Sequence, residues 1–338
     1  MCSTLTHRIS TPSRLHFTLI DMNGEIGRVD GSLGLSLQYP GVSFDFGPHE
    51  KALVRGGSAS EQELVLAEIA ACSEILGVEP RIEIVIRQMI PPHQGLGGGT
   101  QTRLAVLSAL SHRFRLSYPP SELGALSGRG GTSGIGINAF QRGGLLLDGG
   151  HSVRVQKQSF APSRFATEAG QPPLLMRADF PSTWGIVLFI PSCHQGLSGQ
   201  DELDFMLANT PIPLDEVQAT SHLILMRLLP ALRELDLETF GSCVSAIQDV
   251  GWKRRHWTRP DIEPLQSVKS AFCATAGVHG SGLSSTGATI FGFFDTTGFS
   301  DDEIAARLQS ELSNTTDIPG RVACTRASNS GMHLASAE

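Results

Sequence analysis

The segment from Ile82 to Phe114 constrains this chain most. Ile82-Glu83-Ile84-Val85-Ile86 alternates so that the three isoleucines share one face, as in a strand, and a Pro-Pro break follows at 91 and 92. Then come Gly95-Leu96-Gly97-Gly98-Gly99-Thr100-Gln101 and an apolar periodicity that predicts a helix from about Thr100 to Phe114. Strand, glycine loop and helix in that order let several backbone N–H groups converge at a helix N-terminus, an arrangement suited to phosphate. No Gly-Lys-Ser/Thr follows, so this is no Walker loop, and the GxGxxG spacing and acidic partner of a dinucleotide site are missing. The plain alternative is a glycine-rich helix entry with no ligand.

Two further segments share this character. Gly128-Arg129-Gly130-Gly131-Thr132-Ser133-Gly134-Ile135-Gly136 combines a guanidinium with two hydroxyls, groups that grip phosphate or carboxylate, or else forms a tight turn with solvated polar tips. His279-Gly280-Ser281-Gly282-Leu283-Ser284-Ser285-Thr286-Gly287 precedes an apolar run over 289–294. Its small residues serve either a ligand or close packing of a strand on a helix.

Near the N-terminus, Leu15 to Ile20 and Leu33 to Leu37 read as strands joined by the turn Asp21-Met22-Asn23-Gly24. Residues 14, 16 and 18 then share a strand face, which sets Arg14 beside His16. Arg28 and Asp30 add polar function. Asp21 and Asp30 either hold Mg²⁺ or shape turns. Lys253-Arg254-Arg255-His256, between Trp252 and Trp257, reads as a solvated helix terminus, with contact to an anionic aromatic ligand as the other reading. His93, His151 and His194 each sit at a turn and read as structural.

Periodicity predicts helices over 61–76, 214–229, 236–250 and 301–312, a short one over 121–126 opened by Ser121 in a capping box, and buried strands over 145–147, 184–190 and 289–294. Residues 161–173 read as a long exposed connection. The mixture is α+β, in two layers. A formal charge of -7 spread along 338 residues leaves no broad basic footprint for nucleic acid or anionic membrane, so any anion is held by local groups. Six scattered cysteines without a CxxC pair point to free thiols in a reducing compartment. With no secretory leader and no membrane-spanning apolar run, the expectation is a cytoplasmic enzyme.

At this point the motifs resemble a known family. Ser13-Arg14-Leu15-His16, then Leu19 to Gly24, then Gly27-Arg28-Val29-Asp30-Gly31 is similar to the opening of the β-ribofuranosylaminobenzene 5′-phosphate synthases. The glycine segments at 95–101 and 128–136 follow in order, then Arg142-Gly143-Gly144 with Asp148-Gly149-Gly150, and Pro211-Ile212-Pro213-Leu214. The resemblance runs over about 8–295. It implies the GHMP-kinase-like two-domain fold, an N-terminal domain (1–160) resembling ribosomal protein S-five and a C-terminal α+β domain (175–330).

The reaction it implies joins the anomeric carbon of phosphoribosyl pyrophosphate to the ring carbon of an aromatic carboxylate, releasing pyrophosphate and CO2. The acceptor is 4-aminobenzoate or, in the related C-nucleoside synthases of antibiotic pathways, a heteroaromatic acid. Phosphate and pyrophosphate are expected on Gly95, Gly97, Gly98, Gly99, Thr100 and Gln101 and on Arg129, Gly130, Gly131, Thr132 and Ser133. Arg14 or Arg28 is expected to pair with the acceptor carboxylate, and Asp21 and Asp30 to carry Mg²⁺. His16, Asn23, Ser281, Ser284 and Ser285 are expected to contact substrate. A homodimer is implied as well. The kinases of the superfamily usually read Gly-Leu-Gly-Ser-Ser-Ala where this chain has Gly-Gly-Thr-Gln, and they lack the Arg129 loop. An ATP-dependent small-molecule kinase and a non-catalytic ligand-binding homologue are the rival readings.

Overall fold

A computed structural model describes residues 5–337, so Cys2 lies outside the described residues; the other five cysteines form no disulfide. Two sheets carry the molecule. The first has eight strands: β1 (His7–Asp21), β2 (Arg28–Pro48), β3 (Leu53–Arg55), β4 (Ile82–Gln88), β5 (Leu145–Asp148), β6 (His151–Ser152), β7 (Leu174–Ala178) and, from the far end of the chain, His333–Ser336. The second is built from β8 (Trp184–Pro191), β9 (His279–Leu283), β10 (Ile290–Asp295) and β11 (Gly320–Thr325), in the order β11-β8-β10-β9. The strand His333–Ser336, β12, pairs with β1, and β7 pairs with β5. Strands beyond residue 160 thus complete the first sheet.

Antiparallel β1 and β2 form its spine, with Leu15 opposite Leu35. A bulge between His16 and Thr18 breaks the period of two expected there, and bulges of this kind re-aim side chains. Arg14 and His16 still face one way, but beyond the bulge Leu19 rather than Thr18 takes that side.

The helices of the first half are α1 (Ala59–Leu76), α2 (Gly98–Arg113), α3 (Pro120–Leu126) and α4 (Ile135–Arg142). Those of the second are α5 (Gly199–Ala208), α6 (Leu214–Leu223), α7 (Leu229–Glu234), α8 (Leu237–Gln248), α9 (Gly251–Trp257), α10 (Gln266–Ala274) and α11 (Asp301–Thr315). Ser58 with Glu61 and Ser300 with Glu303 close capping boxes at α1 and α11, and Asp236 caps α8 through Thr239 N–H. Ser121 forms no such box: α3 starts one residue earlier, with Pro119 at the N-cap and Pro120 at the first helical position, where a missing N–H costs nothing.

Phenylalanines join the two sheets. Phe17 of β1 stacks on Phe291 of β10 at 5.3 Å, and Phe240 of α8 meets Phe293 edge-on at 5.2 Å, all four fully buried. This shared core holds the first and third glycine segments against each other. Among the described residues, no helix is long and apolar enough to cross a membrane.

Candidate active site

The N-terminus of α2 opens onto a trough between the two sheets. Gly97 is its N-cap with φ of 85°, and no side chain caps the helix, so the first N–H groups of α2 are left for an external acceptor. Gly95 needs to be glycine for a different reason: a Cβ there would run into the Ser284 carbonyl and stand 2.6 Å from that of Gly287. Ser284 Oγ donates to Gly95 O at 2.6 Å and accepts from His16 N–H at 3.1 Å, while Ser285 N–H donates to His16 O at 2.9 Å. The first glycine segment, β1 and the third glycine segment are thereby stitched into one wall.

The trough comprises a shallow part of about 200 Å³ over Gly95 to Thr100 and a deeper part of about 330 Å³ that runs toward α5 and α9. Arg14, Thr100, Arg129, Glu202, Ser285 and Thr286 line both parts. Arg164 and Lys253 bring the cationic side chains to four, against one carboxylate, Glu202, among the described residues of the lining. At the deep end Phe205 lies 5.4 Å from Trp252 and 4.9 Å from His256, centroid to centroid, with Met206 beside them. One end therefore suits anions and the other a flat ring.

Burial sets the electrostatics. It lowers the Arg14 guanidinium to about 10, with Glu202 opposing, and pushes the Glu202 carboxyl up to about 7 against the pull of Arg14 and Arg259. Lys253 and His256, both nearly inaccessible, are driven well below their ordinary values by burial first and by neighbouring cations second. Lys253 Nζ donates to Leu283 O at 2.5 Å and Ser285 O at 2.6 Å, which ties α9 to the third glycine segment. Burial and the neighbouring cations both disfavour the charged forms of Lys253 and His256, and a polyanionic ligand beside them would offset that. This overturns the solvated-terminus reading of the segment from Lys253 to His256 as a whole: Arg254 stays exposed, whereas Lys253 and His256 face inward.

The structure gathers Arg14, His16, Thr100, Arg129, Gly130, Thr132, Ser133 and Ser285 around one trough with the Gly95–Gly99 loop. Other residues it places elsewhere. Asp21 Oδ1 accepts from the N–H groups of Asn23 and Gly24, both at 2.9 Å, which is a turn, and Asn23 itself donates to Ile212 O at 2.8 Å. Asp30 is fully buried in an ion pair with Lys157 Nζ (3.1 and 2.9 Å) and bonds His151 Nδ1 at 2.6 Å. Neither carboxylate lines the trough, and among the described residues no three His, Cys, Asp or Glu side chains form a metal cluster.

Arg28 donates to the carbonyls of Gly149 (2.8 Å) and Gly150 (2.7 Å) and also stands off the trough. Gln101 is buried and donates to Gly136 O at 2.8 Å, clamping α2 to α4 instead of reaching a ligand. Thr132 reaches the trough, but its hydroxyl donates to Ala161 O at 2.8 Å. Ser281 sits inside β9 with its N–H on Ser245 Oγ at 2.9 Å, and Ser284 is the bridge already described.

Glu202, Phe205 and Met206 went unforeseen in the sequence. Their i, i+3, i+4 spacing just after Gly199 was the available signal, one face of a short helix carrying a carboxylate and two apolar groups. The connection over 161–173 is less exposed than expected, because Ser163 Oγ accepts from Thr132 N–H at 3.1 Å and Ala161 and Ala169 are buried.

Residues 63–143 match the GHMP kinases N terminal domain. The chain is 38% identical to the beta-ribofuranosylphenol 5′-phosphate synthase of Methanothermobacter thermautotrophicus over 294 residues, covering 85% of this chain and 88% of that protein. It is 39% identical to the protein of the same name from Archaeoglobus fulgidus over 289 residues, with the same coverage of 85% and 88%. Among solved structures, a putative homoserine kinase from Listeria monocytogenes superposes with a TM-score of 0.62 at 15% identity over 97% of this chain and 98% of that one, a likeness of fold.

Proposed function

The chain belongs to the beta-ribofuranosylphenol 5′-phosphate synthase family within the GHMP kinase superfamily, and from that premise we propose that it couples phosphoribosyl pyrophosphate to an aromatic carboxylate. The observation that carries this reading is the polarity of the trough: an uncapped helix N-terminus in its shallow part, Arg14 and Arg129 shared by both parts, and Phe205 with Trp252 at the deep end.

Pyrophosphate leaves the anomeric carbon as negative charge builds on its bridging oxygen, and donors already aimed at that charge lower the barrier. The N–H groups of Gly98, Gly99 and Thr100 with the Arg14 and Arg129 guanidiniums are those donors. The sugar, with oxocarbenium character, is attacked by the ring carbon that bears the carboxylate. The new C–C bond uses a ring electron pair, and the bond to CO2 returns its pair to the ring as CO2 departs. No proton is removed from carbon, which agrees with a lining that holds, among the described residues, one carboxylate, Glu202. Holding sugar and ring face to face converts the encounter to an intramolecular one.

Magnesium fits here only in a modified way. Asp21 and Asp30 have other partners, so Glu202 is the remaining carboxylate; one carboxylate suits a cation that arrives on substrate phosphates. Glu202, with the Thr100 hydroxyl, would hold it, and the ion would neutralise charge on the leaving group.

The names of the relatives contain a phenol, where the motif resemblance implied an aminobenzene. A hydroxybenzoate is therefore the first acceptor to test, followed by 4-aminobenzoate and the heteroaromatic acids that a C-nucleoside synthase would take. Incubation with phosphoribosyl pyrophosphate, Mg²⁺ and each acid should release pyrophosphate and CO2 in equal amounts. Release of neither with any acid, alongside ATP consumption in a parallel panel, would instead identify a kinase.

A further inference from the structure

The second glycine segment ends in a chain of hydrogen bonds whose direction can be read off atom by atom. Asp148, at the end of β5, is almost wholly buried and its carboxylate takes four donors. Oδ1 accepts from Ser32 N–H and Gly150 N–H, both at 3.1 Å; Oδ2 accepts from Gly134 N–H at 2.9 Å and from the Ser32 hydroxyl. Ser32 has thus spent its only hydrogen. The bond between Ser32 Oγ and Ser133 Oγ at 2.7 Å must use the hydrogen of Ser133. Ser133 Oγ also accepts from Ile135 N–H at 3.2 Å, and it has no hydrogen left for the ring of His16, whose Nε2 lies 3.2 Å away. The hydrogen in that last contact belongs to the imidazole.

His16 is kept neutral by burial first and by Arg14 and Lys253 second, so the ring has a genuine choice of tautomer. The charged and titratable groups around this chain are Arg14, Lys253 and His256 near His16, and Asp30, itself paired with Lys157, near Asp148.

We propose that Asp148 is a positioning residue: acting through Ser32 and Ser133, it holds His16 as the Nε2–H tautomer and leaves Nδ1, on the backbone side of the ring, as its unprotonated atom. The proposal rests on the trough being the substrate site. It also changes the part assigned to Ser133, whose hydroxyl has one hydrogen and two acceptor positions, all three engaged. With the Thr132 and Ser133 hydroxyls engaged, Arg129 is the side-chain anion donor left on this segment. The same carboxylate pins the entry to α4 through Gly134, so one buried group orients both the ring and the loop.

The test uses the full chain with ring-¹⁵N-labelled histidine, and assigns the His16 signals by their loss in His16→Asn. The wild-type protein should show the proton on Nε2. In Asp148→Asn the amide NH2 avoids the side that faces two backbone N–H groups and turns toward Ser32, giving up the single bond from Gly134 N–H on that side. There it donates to Ser32 Oγ, which reverses both hydroxyls and moves the His16 proton to Nδ1. Turnover should fall by about 10²-fold, the scale of a misplaced acid–base group, with the KM for phosphoribosyl pyrophosphate little changed. Should Asp148→Asn fail to fold, Ser32→Ala cuts the relay while leaving every backbone bond to Asp148, and should give mixed tautomers. An Nδ1–H ring in the wild type, or unchanged tautomer and turnover in the variant that folds, overturns the proposal. The ring signals are read without substrate, so they decide this point even if no acid in the panel is turned over.

Discussion

The side chain of Arg14 lies directly against Gly97: a Cβ added at 97 would stand 3.2 Å from Arg14 Cγ and 3.4 Å from its Nε. The residue that caps α2 and the guanidinium that crosses the anion end of the trough therefore share one small space. Gly97→Ala forces a side chain into φ of 85°, a cost of about 1–2 kcal/mol, and displaces Arg14 as well. Affinity for pyrophosphate, measured by calorimetry, should drop about tenfold or more. Unchanged affinity would remove the α2 N-terminus from the anion site.

Arg129 is half-buried, with an inaccessible Nε that has no partner, and burial, followed by repulsion from Arg103, lowers its pKa. A ligand anion would relieve that repulsion. Arg129→Ala should weaken pyrophosphate binding while leaving the melting temperature equal to or above wild type, because an unpaired buried donor is lost. Wild-type affinity in the variant would make Arg129 a purely structural residue.

Phe205→Ala should raise the KM for the aromatic acid by roughly tenfold, since ring stacking is worth about 0.5–1.5 kcal/mol beyond the area it buries, with phosphoribosyl pyrophosphate affinity held. Phe205→Trp should recover most of the loss. If both substrates weaken together, α5 is a general lid and the ring lies elsewhere.

Glu202 carries a testable sign. Its carboxyl is raised to about 7 from an ordinary 4.5, so the folded protein holds that proton more tightly than the unfolded chain. The stability it contributes is fully present below pH 4.5 and is lost as pH rises through about 7. Glu202→Gln should therefore melt higher than wild type at pH 8.5 and by a smaller margin at pH 5.5. If the carboxylate holds Mg²⁺, wild-type kcat/KM climbs through pH 7, and the glutamine variant loses that step and needs more Mg²⁺ for half-maximal rate. A glutamine variant with the wild-type pH profile and Mg²⁺ dependence would release Glu202 from this role.

Asp30→Asn separates an ion pair from a metal ligand. Lys157 would be left buried without its counter-charge, which costs about 3–5 kcal/mol, read in a denaturant titration. The protein that remains folded should bind phosphoribosyl pyrophosphate with Mg²⁺ as tightly as wild type. Equal stability with lost Mg²⁺ dependence would restore Asp30 as a metal ligand.

What the sequence determined by itself is local. Alternation over Ile82 to Ile86 and the glycines that follow make a strand, a loop and a helix in that order, because residues at short separation decide backbone conformation there. The order of the glycine segments also carried the family, and with it the fold.

Only the tertiary structure decided which polar residues face the ligand. Lys253 and His256 read the same in sequence whether α9 ends in water or beneath the third glycine segment; it lies beneath, and burial pushes both groups toward their neutral forms. Asp30 reads in sequence as either a Mg²⁺ ligand or a turn former, and Lys157, 127 positions away, makes it half of a buried ion pair; Glu202 gains meaning only because α5 lies across from Arg14. A side chain's chemistry is set by what removes it from water and by which charge stands next to it, and here both come from residues far along the chain.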